Sequence, residues 1–165
     1  MLEEFFNYKN RLAEDLLTSE KIIKLINENV DLETAGSLMY NQVFPVEYVP
    51  ETTEKAKTFI CVDVDIQQTI DKTFLSPVIY IWAFTHKSLL RLDEGGIRTD
   101  ALCSEICEKI NGSRFYGLGE LNFYSCKRFA PMTDYQGKTL TFNAKDFNRL
   151  HNPNKPIPTN RRLGR

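Results

Sequence analysis

The chain has 165 residues, of which 42% are hydrophobic and 26% charged, values that are typical of one globular domain. Its four cysteines and two histidines show no zinc-binding spacing, so we expect reduced thiols and no metal site. The longest apolar run, 78–84, is much shorter than the roughly 20 residues of a membrane-spanning helix. The acidic start of the chain also lacks the features of a signal peptide. We therefore expect a protein that is made and assembled in the cytoplasm, without a membrane partner.

Charge is distributed unevenly along the chain. Residues 1–56 hold 11 acids and 5 bases, residues 57–147 hold 11 of each, and residues 148–165 hold 5 bases and no acid. The net charges of these three segments are −6, 0 and +5. Such opposite ends favour contacts with different neighbours, including other copies of the same chain.

The first 30 residues predict a helical hairpin. Apolar residues recur every three or four positions from 2 to 17, and a second apolar stretch follows from 22 to about 30. Thr18 or Ser19 can cap the second helix, because their hydroxyl groups accept hydrogen bonds from free backbone amides.

A long loop is predicted over residues 31–57, where the periodicity fades and Pro45 and Pro50 interrupt regular structure. Loops longer than about 12–15 residues are usually functional or disordered. This loop is rich in aliphatic and aromatic side chains, which favour packing against another surface. The aromatic residues predicted to bind a partner are Tyr40, Phe44 and Tyr48.

The remaining core predicts a sheet and one helix in the order ββαββ. Residues 58–66 place Ile60, Val62, Val64 and Ile66 on one face and Phe59, Cys61, Asp63 and Asp65 on the other, which predicts a half-exposed strand. Residues 78–84 are apolar on both faces, which predicts a central strand covered on both sides. Thr99 or Asp100 can cap the helix. The turn before the last strand is predicted at 134–137. The predicted strands and helix are 58–66, 73–86, 99–111, 120–129 and 138–145.

These elements predict an α+β fold, with a mainly antiparallel β-sheet and helices packed on one face. We expect a single α+β domain over residues 1–147, in which 1–30 form the helical hairpin, 31–57 the loop and 58–147 the ββαββ core. Residues 148–165 are expected to form a basic, extended C-terminal arm. The arm residues predicted to dock on an acidic neighbour are Arg149, Lys155, Arg161, Arg162 and Arg165.

Candidate catalytic groups are few. Neither a phosphate-binding loop nor a hydrolase or metalloprotease motif occurs in the sequence. Asp63 and Asp65 share one strand face and could hold a divalent cation with Glu47 or Asp71, as in a metal-dependent nuclease. A solvent-facing strand edge is the favoured interpretation of this pair, and His86 has no nearby acid to orient it. We therefore predict no catalytic, cofactor-binding or metal-binding residue, and keep a nuclease and a basic-tailed nucleic-acid-binding module as alternatives.

Several short motifs carry a resemblance to a known family. They lie at 89–91 (LLR), 95–98 (GGIR), the 99–111 helix, 117–121 (GLGEL), 128–131 (RFAP) and 134–140 (DYQGKTL). In these motifs and in the order of its elements, the chain resembles, over roughly residues 57–147, the small neck and tail-completion proteins of tailed bacteriophages. It is most similar to the tail terminators of that group.

The resemblance implies a non-enzymatic virion protein of the phage neck. Such a protein would form a homo-oligomeric, six-fold ring that terminates the tail tube and joins it to the head connector. Its partners would be other copies of the chain, the tail tube protein and the connector or stopper proteins, with DNA passing through the lumen without specific binding. A head-completion adaptor or stopper is the close alternative. In a head-to-tail ring, the basic arm of one subunit would lie against the acidic face of the next.

Overall fold

The computed structural model describes residues 2–51, 55–69, 74–116, 119–144 and 146–147. It shows an α+β fold with three α-helices and one mixed sheet. The helices are α1 (Leu2–Leu16), α2 (Glu20–Ile26) and α3 (Arg98–Ile110), and the strands are β1 (Val43–Phe44), β2 (Thr58–Thr69), β3 (Phe74–His86), β4 (Asn122–Met132), β5 (Tyr135–Asn143) and β6 (Asp146–Phe147). Within these ranges, no helix is long and apolar enough to cross a lipid bilayer.

The sheet has the strand order β1-β2-β3-β5-β4. All neighbours are antiparallel except β1, which runs parallel to β2, and β6 pairs with the first residues of β3. Along the chain, residues 58–147 contain β2, β3, α3, β4 and β5 in the predicted ββαββ order, followed by the additional short strand β6. β4 is the long edge strand, and its register with β5 is irregular at two places, between Phe123 and Ser125 and between Phe129 and Met132.

The helical hairpin forms as the periodicity predicts. Ser19 caps α2, because its hydroxyl group accepts a hydrogen bond from the amide of Ile22 at 3.5 Å. The predicted cap of α3 is wrong, since Ile97 precedes the helix and no side chain caps it. Arg98, the first residue of α3, is buried and donates to the carbonyl groups of Leu89 and Leu25 at 2.8 and 2.9 Å. These bonds fix the start of α3 against the end of α2.

Part of the predicted loop 31–57 is regular structure. A 3-10 helix occupies Ala35–Leu38, and β1 adds a short parallel strand beside β2. The side chain of Gln42 holds this segment in place, because its buried amide donates to the carbonyl oxygens of Ile26 and Thr58 at 3.2 and 3.0 Å. Sequence periodicity missed these elements because a two-residue strand is too short to produce a pattern.

Two faces of the sheet carry two separate cores. The helix-covered face joins the three helices to side chains that include Ile60, Ile81 and Phe142. The opposite face, which we call the helix-free face, carries an aromatic cluster with Phe59 and Phe84 at its centre and no helical residue. The remaining members of this aromatic cluster are Phe44, Tyr48, Cys61, Trp82, Phe129, Met132 and Tyr135. The prediction that β3 is covered by other elements on both sides therefore holds for the helix-covered face, whereas on the other face, among the described residues, side chains of the sheet and of the β1 segment form the cluster.

Gly137 lies within β5 and not in the predicted turn. The turn is shorter, consisting of the two residues Thr133 and Asp134 between β4 and β5. A Cβ atom at Gly137 would lie 2.0 Å from the carbonyl oxygen of Ala83 and 2.5 Å from the Cα atom of Phe84. Glycine is required here by the close approach of β5 to β3 beneath the aromatic cluster.

Candidate interaction surfaces

Tyr40, Phe44 and Tyr48, which were predicted to bind a partner, line one cavity of about 330 Å³. Phe44 and Tyr48 stack in parallel with ring centroids 4.1 Å apart, and Phe44 retains only 9% of its exposure. Phe44 is thus mainly part of the aromatic cluster. Tyr40 is 66% exposed, in the left-handed backbone region with φ of 57°. Of the three side chains, it is Tyr40 that offers most of its ring to a partner.

The five basic arm residues lie outside the described residues, as does Asp71. They are Arg149, Lys155, Arg161, Arg162 and Arg165. Their predicted role in binding a neighbour therefore stays a prediction.

The two sheet edges are both exposed. Next to and along β4, Phe115 is 91% exposed and Tyr124 is 68% exposed, and Lys127 and Arg128 are also exposed. At the opposite edge, β1 covers only Ile60 and Cys61 of β2. The segment 31–51, which contains β1, holds four acids and no base. Each edge therefore has exposed apolar side chains. Exposed bases lie on β4, whereas the segment at the β1 edge is acidic but has Lys55 and Lys57 beside Tyr40, where the Lys57 ammonium group donates to the side chain of Asn41 at 2.8 Å.

The paired aspartates of β2 have different surroundings. A carboxylate oxygen of Asp63 lies 3.2 Å from the ammonium group of Lys9 and accepts a hydrogen bond from the amide of Val64 at 2.9 Å. Asp65 is exposed. In the part of the chain that the structure describes, no three histidine, cysteine, aspartate or glutamate side chains form a group that could hold a metal ion.

His86 has a local structural role at the end of β3. Its Nδ1 atom lies 2.7 Å from the hydroxyl oxygen of Ser88 and accepts a hydrogen bond from the Ser88 amide at 3.2 Å. Its ring meets the ring of Tyr135 edge-on, with centroids 5.3 Å apart. These contacts fix the short 3-10 helix Lys87–Leu89 that follows the strand.

Three cysteines, two of them on α3 and one on β4, line one surface cavity of about 630 Å³ between α3 and the β4–β5 hairpin. Cys103 and Cys107 lie one turn apart on α3, and Cys126 lies on β4, where it faces them because it pairs with the inward residue Leu140. Burial raises the pKa of the Cys103 thiol to about 12. The ion pair between Lys138 and Asp100, at 2.9 Å, lies in the same cavity, and the Asp100 carboxylate raises the pKa of Lys138. Sequence spacing could not reveal this grouping, because Cys126 joins it only through the strand register.

A half-exposed aromatic strip on the helix-free face was also missed. Tyr80 and Trp82 stack with ring centroids 5.9 Å apart, and Phe129 lies 6.4 Å from Trp82. The signal was present in the sequence, since aromatic residues alternate with aliphatic ones along 79–84. Strand alternation places these aromatic rings on one face, but it does not say whether another element covers that face.

Comparison with known proteins gives a family for most of the chain. Residues 19–144 match the model of the YomW family, so the match runs from the cap of α2 to the residue after β5. The chain belongs to the YomW family. YomW is a phage-derived family name, and the chain is accordingly a phage-associated protein. No curated protein matches the chain.

Proposed function

We propose that this YomW-family chain is a structural, non-enzymatic protein of the phage neck, which forms a ring that terminates the tail tube and joins it to the head connector. The observation that carries the proposal is the pair of exposed sheet edges, which differ in their apolar side chains and in their charge. A chain with two different complementary edges can associate head to tail, and such association closes into a ring when the rotation between subunits allows it.

The β4 edge provides one half of the proposed contact. An unpaired edge strand presents backbone amides and carbonyls to which another chain can add. Between its two irregularities, β4 keeps a regular register with β5 from Ser125 to Phe129. This stretch includes the exposed bases Lys127 and Arg128, and Tyr124 adds exposed aromatic surface beside it.

The segment around β1 provides the other half. Tyr40, Val46 and Val49 are exposed there, and each retains roughly half or more of its surface, at 66%, 47% and 54%. The acids Glu47 and Glu51 are exposed beside them. Opposite charges on two facing surfaces speed association and fix the relative orientation of the partners. Apolar contact between the same surfaces would supply most of the free energy of binding.

The non-enzymatic part of the proposal is supported by the surroundings of the best catalytic candidates. Lys9 pairs with Asp63, and the ring of His86 is held by Ser88 and Tyr135. These contacts give both side chains structural partners.

A charge-swap experiment tests the head-to-tail contact. The mass of the full chain is measured by light scattering over a concentration series at low and moderate salt. The double variant Lys127→Glu/Arg128→Glu places like charges on both edges, and we expect its subunit affinity to fall by roughly tenfold or more. Adding Glu47→Lys/Glu51→Lys on the same chain restores opposite charges, and we expect ring formation to return.

The control variant removes charge away from both edges. Arg11→Gln/Lys21→Gln alters exposed bases on α1 and α2, and we expect it to assemble as the unaltered chain does. Rings that persist in Lys127→Glu/Arg128→Glu, or an assembly that the second pair of changes fails to rescue, would contradict the head-to-tail contact.

The position in the neck is tested with isolated tail tubes. A terminator is expected to bind the free end of a tube and to stop its elongation in the presence of excess tube protein. A chain that binds only head connectors and leaves tube elongation unchanged would instead be an adaptor or stopper.

A further inference from the structure

The half-exposed aromatic strip lies next to the point where the chain leaves the sheet. β6 pairs with β3 at Phe74 and Leu75, so residue 148 follows directly from the same end of the sheet. Trp82 lies eight residues along β3 from Phe74, a distance of about 26 Å at the rise of a strand. The 18 residues that follow β6 reach up to about 60 Å when extended, which is enough to turn back and cross the strip. An Asn-Pro pair at 152–153 is typical of such a turn.

Charge on the helix-free face is suited to a basic segment. Asp63 and Asp65 alternate with the inward residues of β2 and therefore share this face with Tyr80, the register partner of Asp63. Asp65 is exposed and lies opposite Val78, between the chain end and the aromatic strip. Lys127 is on the same face, but on the far strand β4. Because Asp63 is paired with Lys9 at 3.2 Å, Asp65 is the exposed acid of this pair, and it lies on the side of the face next to which the chain leaves.

The composition of residues 148–165 fits these contacts. The segment holds four arginines, one lysine and no acid. Arginine stacks on the faces of tryptophan and tyrosine and pairs with carboxylates through its planar guanidinium group. A strip of Tyr80 and Trp82 beside Asp65 offers both kinds of partner in one place.

We propose that residues 148–165 dock on the helix-free face of their own chain, with arginine side chains on Tyr80 and Trp82 and beside Asp65. The tether favours the chain's own segment over that of another copy, because a short linker raises the effective concentration of the segment to the millimolar range. This inference concerns the single chain and does not rest on the ring proposed above.

Trp82 is the only tryptophan of the chain and reports directly on this surface. The experiment measures its fluorescence in the full chain, at concentrations where light scattering gives the monomer mass. The test variant replaces the five bases of the segment: Arg149→Gln, Lys155→Gln, Arg161→Gln, Arg162→Gln and Arg165→Gln. We expect its Trp82 emission to shift to the red and acrylamide, a neutral quencher, to quench it more strongly. A synthetic peptide of residues 148–165 should bind the variant and reverse both changes, but should have little effect on the unaltered chain.

Two matched changes separate docking from general effects of charge. Arg11→Gln/Lys21→Gln removes bases from the helices and should leave the Trp82 signal unchanged. Asp65→Asn should increase quenching in the full chain, as the five-base variant does. Equal quenching of the unaltered and five-base chains would overturn the proposal. A signal that changes on dilution would also overturn it, because it would indicate docking between copies.

Discussion

The two faces of the same sheet are buried to different extents along β3. On the helix-covered face, Ile79, Ile81 and Ala83 are all fully buried. On the helix-free face, Phe84 and Val78 are buried, whereas Trp82 and Tyr80 between them are partly exposed. One face is therefore buried along its length, whereas the other has two partly exposed aromatic side chains between buried positions. The difference indicates that burial of a strand has to be judged separately for each face.

The largest effect is expected in thiol reactivity. It tests whether buried thiols on the two faces are equally protected from a reagent in solution. Cys61 belongs to the aromatic cluster and Cys103 to the helix-covered core. Burial raises the pKa of both thiols to about 12. Only the thiolate reacts, so at pH 8.5 we expect alkylation of both to be about a thousandfold slower than in the unfolded chain. Because the folded-state pKa is raised, both rates should increase as pH rises.

Iodoacetamide labelling followed by mass spectrometry measures these rates, and the exposed Cys126 provides an internal comparison. Fast labelling of Cys61 with slow labelling of Cys103 would mean that the helix-free face opens where the helix-covered face does not.

Replacing one phenylalanine on each face compares how much the two faces contribute to the free energy of unfolding. Phe59 is fully buried in the aromatic cluster, and Phe142 is fully buried under the helices. We expect Phe59→Ala and Phe142→Ala each to lower the free energy of unfolding by about 3–5 kcal/mol. Urea unfolding followed by circular dichroism measures both. Phe115→Ala, at an exposed position, should change it by less than about 0.5 kcal/mol, and a small loss for Phe59→Ala alone would show that the aromatic cluster contributes little.

A methyl group at Gly137 should disturb the packing of β5 against β3 at the aromatic cluster. Since the added Cβ atom would meet the backbone of β3, we expect Gly137→Ala to destabilise the chain by about 1–3 kcal/mol. Gly36 is the matched control, because an added Cβ atom there meets no atom within 4 Å. Equal melting temperatures for Gly137→Ala and Gly36→Ala would be inconsistent with the close approach of β5 to β3.

The smallest effect on stability is expected at the aromatic strip. Trp82 is only partly buried, so Trp82→Phe keeps an aromatic ring on the cluster and should cost less than about 1 kcal/mol. Thermal unfolding followed by circular dichroism measures this change. A loss of stability as large as that of Phe59→Ala would show that the Trp82 side chain stabilises the fold as a core residue does.

Much of the fold could be predicted from residue periodicity. The alternation in β2 correctly placed Ile60 and Val62 under the helices, and the helical spacing of Leu102 and Ile106 located α3. The prediction of a half-exposed strand was wrong at Phe59 and Cys61, because both are fully buried in the aromatic cluster. These signals are strong because each extends over several turns or residue pairs. The short strand β1 escaped detection, since it depends on the long-range bonds of Gln42 and not on a local pattern.

The candidate surfaces were less predictable than the fold. Sequence composition identified the aromatic segment around Tyr40, but it could not show that Phe44 would be buried by stacking with Tyr48. Gly137 was assigned to a turn because glycine is frequent in turns. Its actual role, room for a neighbouring strand, depends on contacts between residues more than 50 positions apart.

The irregularities at the two ends of β4 limit what can add to that edge. Only the five residues from Ser125 to Phe129 keep an uninterrupted register. A long, flat edge strand would accept almost any extended peptide and favour uncontrolled aggregation, whereas bulges and basic side chains discourage it. A short open stretch accepts a neighbour only when its side chains also match. Addition of another strand to β4 in regular register is thus limited to these five residues.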